Sequence, residues 1–175
     1  MTKFYFIRHG EDISKDINTK IYKNWGMNRL TLTETGISQI RKLKDDERLK
    51  NAQIIVSSPY GRALHSAAIL SKELGIDLVV ETNLHEWVAD KDYNYLSMED
   101  ARKSFIEFEN NKGIKNKECK YNWEDLETIK NRIISVLNKY KDYDDVIIVT
   151  HGAVIKYFLN VDHPEHGQII EYIYD

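Results

Sequence analysis

Near the start of the chain stands the apolar run Phe4-Tyr5-Phe6-Ile7, which is followed at once by Arg8-His9-Gly10-Glu11. A second apolar run, Val146-Ile147-Ile148-Val149, leads through Thr150 to His151-Gly152. Such runs without alternation are typical of strands that are buried on both faces of a parallel sheet. Because the ligands of open α/β sheets bind at the carboxyl ends of strands, the two histidines are predicted to lie at one active site.

The composition is that of an ordinary globular domain. The 175 residues are 42% hydrophobic and 11% aromatic, and the formal net charge of −3 includes no strongly basic stripe. We therefore expect a single domain over residues 1–175 and no nucleic-acid partner. Cys119 is the only cysteine, the N-terminus does not resemble a signal peptide, and no apolar run approaches the roughly 20 residues that cross a bilayer. The simplest prediction is a cytoplasmic protein with no membrane partner.

Apolar runs predict strands over residues 4–7, 54–56, 78–80, 146–149 and 169–174. The first four are expected to be buried on both faces, whereas the last alternates and is predicted to be an exposed edge that could pair. Apolar residues at helical spacing lie between these runs, after a cap at Thr33 or Thr35, from Ala63 to Leu74, and from Leu126 to Tyr140. The alternation predicts an α/β fold, a three-layer α/β/α sandwich with a mostly parallel central sheet.

Two segments interrupt this alternation. Residues 12–29 are polar and irregular, whereas residues 83–123 are charged but rich in aromatic side chains: Trp87, Tyr93, Tyr95, Phe105, Phe108, Tyr121 and Trp123. Long excursions from a compact sheet are usually functional or disordered, and so many aromatic residues argue against disorder. We predict a small, partly helical cap over residues 83–123 beside the site, with a purely local aromatic core as the alternative.

Arg8 and His9 have the chemistry of a phosphoryl-transfer site. A neutral imidazole is a competent nucleophile, and a guanidinium matches two phosphoryl oxygens. Arg62 follows Ser57-Ser58-Pro59 in the first turn of a predicted helix, where free backbone N–H groups also favour an anion. Two arginines and two histidines from different strands indicate a phosphoryl dianion rather than a metal ion, because the arginines would repel a divalent cation.

Glu86 follows the third predicted strand by a few residues, within Leu84-His85-Glu86-Trp87. Shielding by Trp87 would raise the pKa of this carboxyl group and suit it to protonating a leaving alkoxide. Three other histidines are interpreted as surface residues. His163 and His166 lie in a polar loop around Pro164, and His65 lies on a helix face.

Together these motifs resemble those of the histidine phosphatase superfamily, also called phosphoglycerate mutase-like, over essentially the whole chain. In order they are Arg8-His9-Gly10-Glu11, Leu32-Thr33-Glu34-Thr35-Gly36 with Gln39, Ser57-Ser58-Pro59 with Arg62-Ala63, Leu84-x-Glu86, and Thr150-His151-Gly152-Ala153-Val154-Ile155. Five ordered motifs, each where a strand passes into a loop, favour a functional role for His9 over a structural one.

The resemblance implies a role for each of these side chains. His9 would be the nucleophile that becomes phosphorylated, Arg8, Arg62 and a protonated His151 would hold the non-bridging oxygens, and Glu86 would be the proton donor. Gly10 and Gly152 are counted with the substrate-binding residues. Such a reaction requires no metal and no organic cofactor.

The sequence departs from the family pattern in two places. Asp12 and Lys15 stand where the family often has Ser or Thr and then Asn, with Asn18 and Asn24 as possible substitutes, and Lys23 replaces the usual Arg before Gly26. After Glu86, the common Gly-x-x-Glu-Gly continuation is replaced by residues 88–93. An inward-pointing Asp12 would oppose a phosphate, so these departures affect substrate contacts rather than the phosphoryl-transfer residues.

The first-choice function is a phosphomonoesterase that hydrolyses a small phosphorylated substrate through a phosphohistidine at His9. Phosphoglycerate mutase-type phosphoryl transfer is one alternative, although the predicted cap offers little to keep a phosphohistidine from water. A phospho-ligand-binding or regulatory module without turnover is the other. The expected partner is a small-molecule phosphomonoester, and a monomer and a homodimer are both compatible with the sequence.

Overall fold

The computed structural model describes residues 1–15, 24–94 and 97–175, and for Lys15, Asn24 and Trp25 it describes the backbone only. These residues form a sheet in the order β3-β2-β4-β1-β5. The strands are β1 (Thr2–Arg8), β2 (Ile54–Ser57), β3 (Leu78–Val80), β4 (Asp145–Thr150) and β5 (Ile169–Tyr174). β5 pairs with β1 in antiparallel fashion and the other pairings are parallel. The predicted strands and the mostly parallel sheet are confirmed.

Helices cover both faces of the sheet. They are α1 (Glu34–Arg41), α2 (Gly61–Leu74), α3 (Met98–Asn110), α4 (Leu126–Tyr140) and α5 (Gly152–Leu159), with short 3-10 helices over Ile13–Lys15, Asn24–Arg29, Lys42–Asp45, Glu47–Leu49 and Thr82–Leu84. Alternate residues of each central strand face opposite cores, one beneath α1 and α2 and the other beneath α4 and α5. The predicted three-layer α/β/α sandwich is therefore confirmed.

Side chains cap the starts of α1 and α4, and the cap of α1 is one of the two that the sequence predicts. Thr33, not Thr35, caps α1, because its side-chain oxygen accepts the Gly36 N–H at 3.0 Å. The side chain of Asp125 caps α4 by accepting the Thr128 N–H at 2.8 Å. α5 was not predicted as a helix, since its sequence was interpreted only as the continuation of the His151 motif.

The expectation that the third strand is buried on both faces is wrong. β3 lies at the edge of the sheet, and Val79 and Val80 remain 37% and 47% exposed. Its three residues pair with β2 alone, so one side of the strand and much of its outer face meet solvent. β5 occupies the opposite edge, as its alternating pattern predicted.

The predicted cap segment combines a local core with a cavity wall. It contains α3, and its side chains Phe108 and Trp123 are fully buried in the core beneath α4 and α5. Trp87, Tyr93 and Phe105 instead line a cavity beside the sheet. Both interpretations of the aromatic residues thus hold, each for a different part of the segment. Tyr95 lies outside the described residues.

A buried ion pair joins the end of this segment to α4. Arg132 Nε lies 2.6 Å from Glu124 Oε1, and Arg132 Nη2 lies 3.1 Å from Glu124 Oε2, with the two side chains only 7% and 3% exposed. The same guanidinium donates to the carbonyl of Asn83. The Glu124 carboxylate also accepts the Val88 N–H at 3.3 Å, so the pair ties both ends of the segment to the helix.

Among the described residues, no helix is long and apolar enough to cross a membrane.

We expect Arg132→Met to lower the free energy of unfolding by about 3–5 kcal/mol, because it leaves the Glu124 carboxylate buried without its counter-ion. Urea denaturation followed by circular dichroism measures the loss. Lys103→Met is the matched control, since Lys103 pairs with Glu99 in the open at 3.4 Å. An exposed pair of this kind is worth about 0.5 kcal/mol. Equal losses in the two variants would contradict the assignment.

Candidate active site

Three parallel strands deliver the predicted site residues to one edge of the sheet. In the strand register Arg8 lies opposite Thr150, and Ser57 lies opposite Val149, so β1, β4 and β2 end at the same level. The next residues are His9 and His151, whose ring centroids are 5.2 Å apart. Arg62 enters the same site from the first turn of α2 and lies within hydrogen-bonding distance of His9.

Two hydrogen bonds orient the imidazole of His9. Its Nδ1 lies 2.8 Å from the carbonyl oxygen of Gly10, which can only accept, so Nδ1 carries the proton. Nε2 accepts a hydrogen bond from Arg62 Nε at 3.1 Å. The lone pair of Nε2 therefore points to the arginine that is suited to hold a phosphoryl oxygen, which is the orientation a nucleophile requires.

Arg62 also faces a carboxylate. Asp12 Oδ2 lies 3.5 Å from Arg62 Nε, and Asp12 Oδ1 accepts the Ser14 N–H at 3.0 Å. Asp12 thus points inward, and it lines the cavity together with Arg8, His9 and Arg62. Its negative charge partly offsets the charge of Arg62. Asn18 and Lys23, which were considered for the same loop, lie outside the described residues, and the side chains of Lys15 and Asn24 are not described.

Arg8 and His151 each have a buried nitrogen atom without a hydrogen-bond partner among the described residues. Arg8 Nη1 donates to the carbonyl of Pro164 at 2.7 Å, and His151 Nε2 lies 2.8 Å from the Ser58 hydroxyl. Within the described part of the chain, Arg8 Nε and His151 Nδ1 are buried without a hydrogen-bond partner. Buried polar atoms normally have partners, and a phosphoryl oxygen would suit both.

The two glycines contribute space. A Cβ at Gly10 would lie 2.6 Å from the carbonyl oxygen of Gly36, and the Gly10 N–H is already donated to Ser66 Oγ at 3.1 Å. Gly10 therefore permits close packing of its loop against the first turn of α1, and it has no free N–H to offer a substrate. A Cβ at Gly152 would collide with the ring of His163 and lie 3.2 Å from Arg8 Nε, so this glycine leaves room for Arg8.

Glu86 lies on the cavity wall with Arg8, His9 and Arg62. Its Oε1 accepts the N–H of Trp87 at 2.9 Å. The loop that carries Glu86 is held from both sides. Thr150 Oγ1 donates to the carbonyl of Leu84 at 2.7 Å, and the indole N–H of Trp87 donates to the carbonyl of Glu124 at 2.9 Å.

Burial and neighbouring charges lower the pKa values of His9 and His151, and burial raises that of Glu86. Burial, followed by the charge of Arg62, lowers the pKa of His9 and of His151 well below the usual range. The lowered pKa values favour neutral imidazoles at both positions when no anion is bound. The protonated His151 expected from the sequence belongs to the complex with a phosphoryl group and stays a prediction. Burial raises the pKa of Glu86, partly opposed by Arg62 and the Trp87 N–H, and so favours a carboxyl group that holds a proton.

The prediction that His166 is a solvated surface residue is wrong. Its ring centroid lies 5.5 Å from that of His9, and its charge is one of the influences that lower the pKa of His9. His163 is exposed, as predicted, but its ring packs over Gly152. His65 is half-buried and lies 3.4 Å from the Leu32 N–H, which it accepts. The loop around Pro164 returns to the site because Gly167 N donates to the carbonyl of Arg8 at 2.9 Å.

A cavity of about 610 Å³ opens beside these groups. Among the residues that the structure describes, no group of three or more His, Cys, Asp or Glu side chains is arranged to hold a metal ion. Sequence reasoning missed Glu124 and Arg132, which hold the Glu86 loop, because charged residues on or just before a helix are usually solvated. No local pattern in the sequence indicated that these two would be buried together.

The chain is similar to known proteins in both sequence and fold. Residues 4–164 match the model of the histidine phosphatase superfamily (branch 1). A protein of Hydrogenobacter thermophilus with the provisional name phosphoserine phosphatase 2 is 31% identical over 162 residues, which cover 89% of this chain and 75% of that protein.

Solved structures share the fold. YhfR of Bacillus stearothermophilus superimposes with a TM-score of 0.71 at 22% identity, covering 100% of this chain and 92% of that one. A mycobacterial glucosyl-3-phosphoglycerate phosphatase gives a TM-score of 0.70 at 17% identity, covering 97% and 89%. The matched region includes every motif that was quoted for the resemblance, and the chain belongs to the histidine phosphatase superfamily (branch 1).

Proposed function

We propose that the protein is a phosphomonoesterase that hydrolyses small phosphorylated metabolites through a phosphohistidine at His9, in a reaction that needs no metal ion. The observation that carries this proposal is the orientation of His9. The Gly10 carbonyl holds the proton on Nδ1 and leaves the Nε2 lone pair beside Arg62. The names of the relatives, which include a phosphoserine phosphatase and a glucosyl-3-phosphoglycerate phosphatase, support the same class of reaction.

In the first step His9 Nε2 attacks phosphorus, a P–N bond forms, and the bond from phosphorus to the ester oxygen breaks. Glu86 gives its proton to the departing alkoxide. Arg8 and Arg62 stabilise the charge that spreads over the non-bridging oxygens, and His151 offers the donor on its buried ring. The lowered pKa values favour neutral imidazoles until the phosphoryl dianion arrives.

In the second step water attacks the phosphohistidine and the Glu86 carboxylate accepts its proton. The P–N bond breaks, its electron pair returns to Nε2, and inorganic phosphate leaves.

Mutase-type transfer would require the cavity to bind a second anionic group of the substrate, away from the phosphoryl group at His9. Beyond Arg8 and Arg62, Arg102 is the only cation among the described residues of the cavity wall, which favours hydrolysis over that alternative. A cytoplasmic location and a monomeric or homodimeric state stay predictions.

We expect His9→Ala to abolish phosphate release from p-nitrophenyl phosphate in the presence of EDTA. The wild-type protein, quenched in alkali during turnover, should carry phosphate on the peptide that contains His9. His65→Gln is the matched control, because His65 does not line the cavity, and it should turn over like the wild type. Full activity of His9→Ala would contradict the mechanism. So would loss of phosphatase activity from the wild-type protein when EDTA is added.

Glu86→Gln should slow the hydrolysis of alkyl phosphates by about 10²–10⁴-fold and that of p-nitrophenyl phosphate much less, because nitrophenolate leaves without a proton. Only the protonated carboxyl group can donate, so the wild-type rate with alkyl phosphates should fall as the pH rises through the raised pKa of Glu86. That alkaline decline should be missing from the variant. Equal slowing of both substrates at every pH would remove Glu86 from the role of acid.

Asp12→Asn should lower the inhibition constant of inorganic phosphate by about fivefold, since it removes a negative charge that faces Arg62. Phosphate inhibition measured at constant pH tests this, with Glu99→Gln on the solvent-exposed side of α3 as the control. An unchanged or weakened inhibition in Asp12→Asn would mean that the Asp12 carboxylate is not opposed to the bound anion.

A further inference from the structure

We propose that the organic part of the substrate is apolar, an alkyl or aryl group, and that Tyr93 and Met98 select it at the mouth of the cavity. This inference rests on the proposed function, because it takes the phosphoryl group to occupy the end of the cavity at His9. It adds the chemical class of the alcohol that hydrolysis releases, and this class differs from the polar substrates in the names of the relatives.

The cavity changes character away from His9. Its charged lining residues lie mainly at the phosphoryl end and include Arg8, Asp12, Arg62 and Glu86. The other described walls are largely apolar: Met27, Leu30, Trp87, Val88, Ala89, Tyr93, Met98, Ala101, Phe105 and Ala153. A cavity of about 610 Å³ is also much larger than a phosphate group alone requires. Apolar walls of this extent gain most from a substrate that buries apolar surface against them.

One wall is rigid. The Trp87 ring packs edge-on against Phe105 and Phe108, with centroids 5.3 and 5.4 Å away, and its indole N–H is held by the Glu124 carbonyl. Because both its ring and its polar atom are fixed, Trp87 is a preformed surface. A ligand that packs on it does not have to order the side chain first.

The rim of the cavity, formed by Tyr93 and Met98, exposes apolar side chains to solvent. Met98 is 57% exposed and Tyr93 is 37% exposed, although both line the cavity. Tyr93 has a φ of 55°, a left-handed conformation that is costly for a bulky residue. The Asp90 carboxylate maintains it by accepting the N–H groups of Asp92 and Asn94, each at 2.9 Å. A strained turn that presents an aromatic ring at a cavity is typical of a ligand contact.

The charges argue against a polar, zwitterionic substrate such as phosphoserine. An ammonium group would need a carboxylate, and the described cavity offers only Asp12, which already faces Arg62, and Glu86, which is needed as the acid. A carboxylate group of the substrate, by contrast, could pair with Arg102 of α3, which lines the cavity. The rival substrate class is therefore an anionic one that uses Arg102, and it is open to a direct test.

Binding of phosphonates separates this inference from catalysis, because their P–C bond is not hydrolysed. Isothermal titration calorimetry would compare ethylphosphonate, hexylphosphonate and the phosphonate isostere of phosphoserine. We expect hexylphosphonate to bind at least about tenfold more tightly than ethylphosphonate, as burial of several methylene groups predicts. The phosphoserine isostere should bind no more tightly than ethylphosphonate.

Two substitutions test the rim without disturbing the fold. Tyr93→Asn suits the left-handed backbone, and Met98→Gln keeps the shape of an exposed side chain. In the double variant the ratio of hexylphosphonate to ethylphosphonate affinity should fall at least about threefold, as the loss of several buried methylene contacts predicts. Ile106→Gln is the matched control, because Ile106 is 46% exposed on the same helix and does not line the cavity, and it should leave the ratio unchanged.

Tighter binding of the phosphoserine isostere than of hexylphosphonate, lost in Arg102→Gln, would overturn the inference in favour of an anionic substrate. Equal affinities for the two alkylphosphonates would also overturn it. A protein that binds hexylphosphonate selectively but hydrolyses no phosphomonoester would retain the inference and refute the proposed function. Measurement of phosphate release from hexyl phosphate in parallel distinguishes these failures.

Discussion

The parallel register of β1, β4 and β2 is the constraint on which the site depends. It places Arg8 opposite Thr150 and Ser57 opposite Val149, so that three chain segments leave the sheet at one level. Parallel strands pair along their whole length, and slippage by one residue would turn every buried side chain to the other face. The apolar cores on both sides of the sheet therefore also hold His9 beside His151. Stability of the sheet and geometry of the site have the same origin.

The site holds positively charged groups close together, and a bound anion would relieve their electrostatic repulsion. Arg8 and Arg62 lie beside two buried histidines whose pKa values are lowered by burial and by Arg62. Keeping both rings neutral limits the repulsion and leaves His9 nucleophilic. Asp12 offsets part of the remaining charge, and His166 adds a third imidazole beside His9. A phosphoryl dianion would accept hydrogen bonds from Arg8 and Arg62 and neutralise their charge more fully than Asp12 does. The site therefore favours a phosphoryl group over water.

The position of Glu86, the proposed acid, depends on a longer chain of contacts. Glu86 belongs to a loop that has no regular partner strand, and it is held by Thr150 on one side and by Glu124 on the other. Glu124 is in turn held by Arg132 of α4. Because the same contacts fix Trp87, the position of Glu86 and the shape of the apolar wall are coupled. Substitutions in the buried pair are therefore expected to alter both at once.

The sequence alone predicts the strands, the main helices and the motif residues, because buried runs, helical spacing and capping residues are local signals. It also placed Arg8, His9, Arg62, Glu86 and His151 at strand ends or in the loops and helix starts that follow them. The folding of the whole chain leaves β3 as an exposed edge, brings the His166 ring beside His9 and places Asp12 opposite Arg62. It also decided that Glu124 and Arg132 are buried together. These outcomes depend on contacts between residues far apart in the chain, and charged or imidazole side chains have the same local pattern whether folding leaves them in water or encloses them.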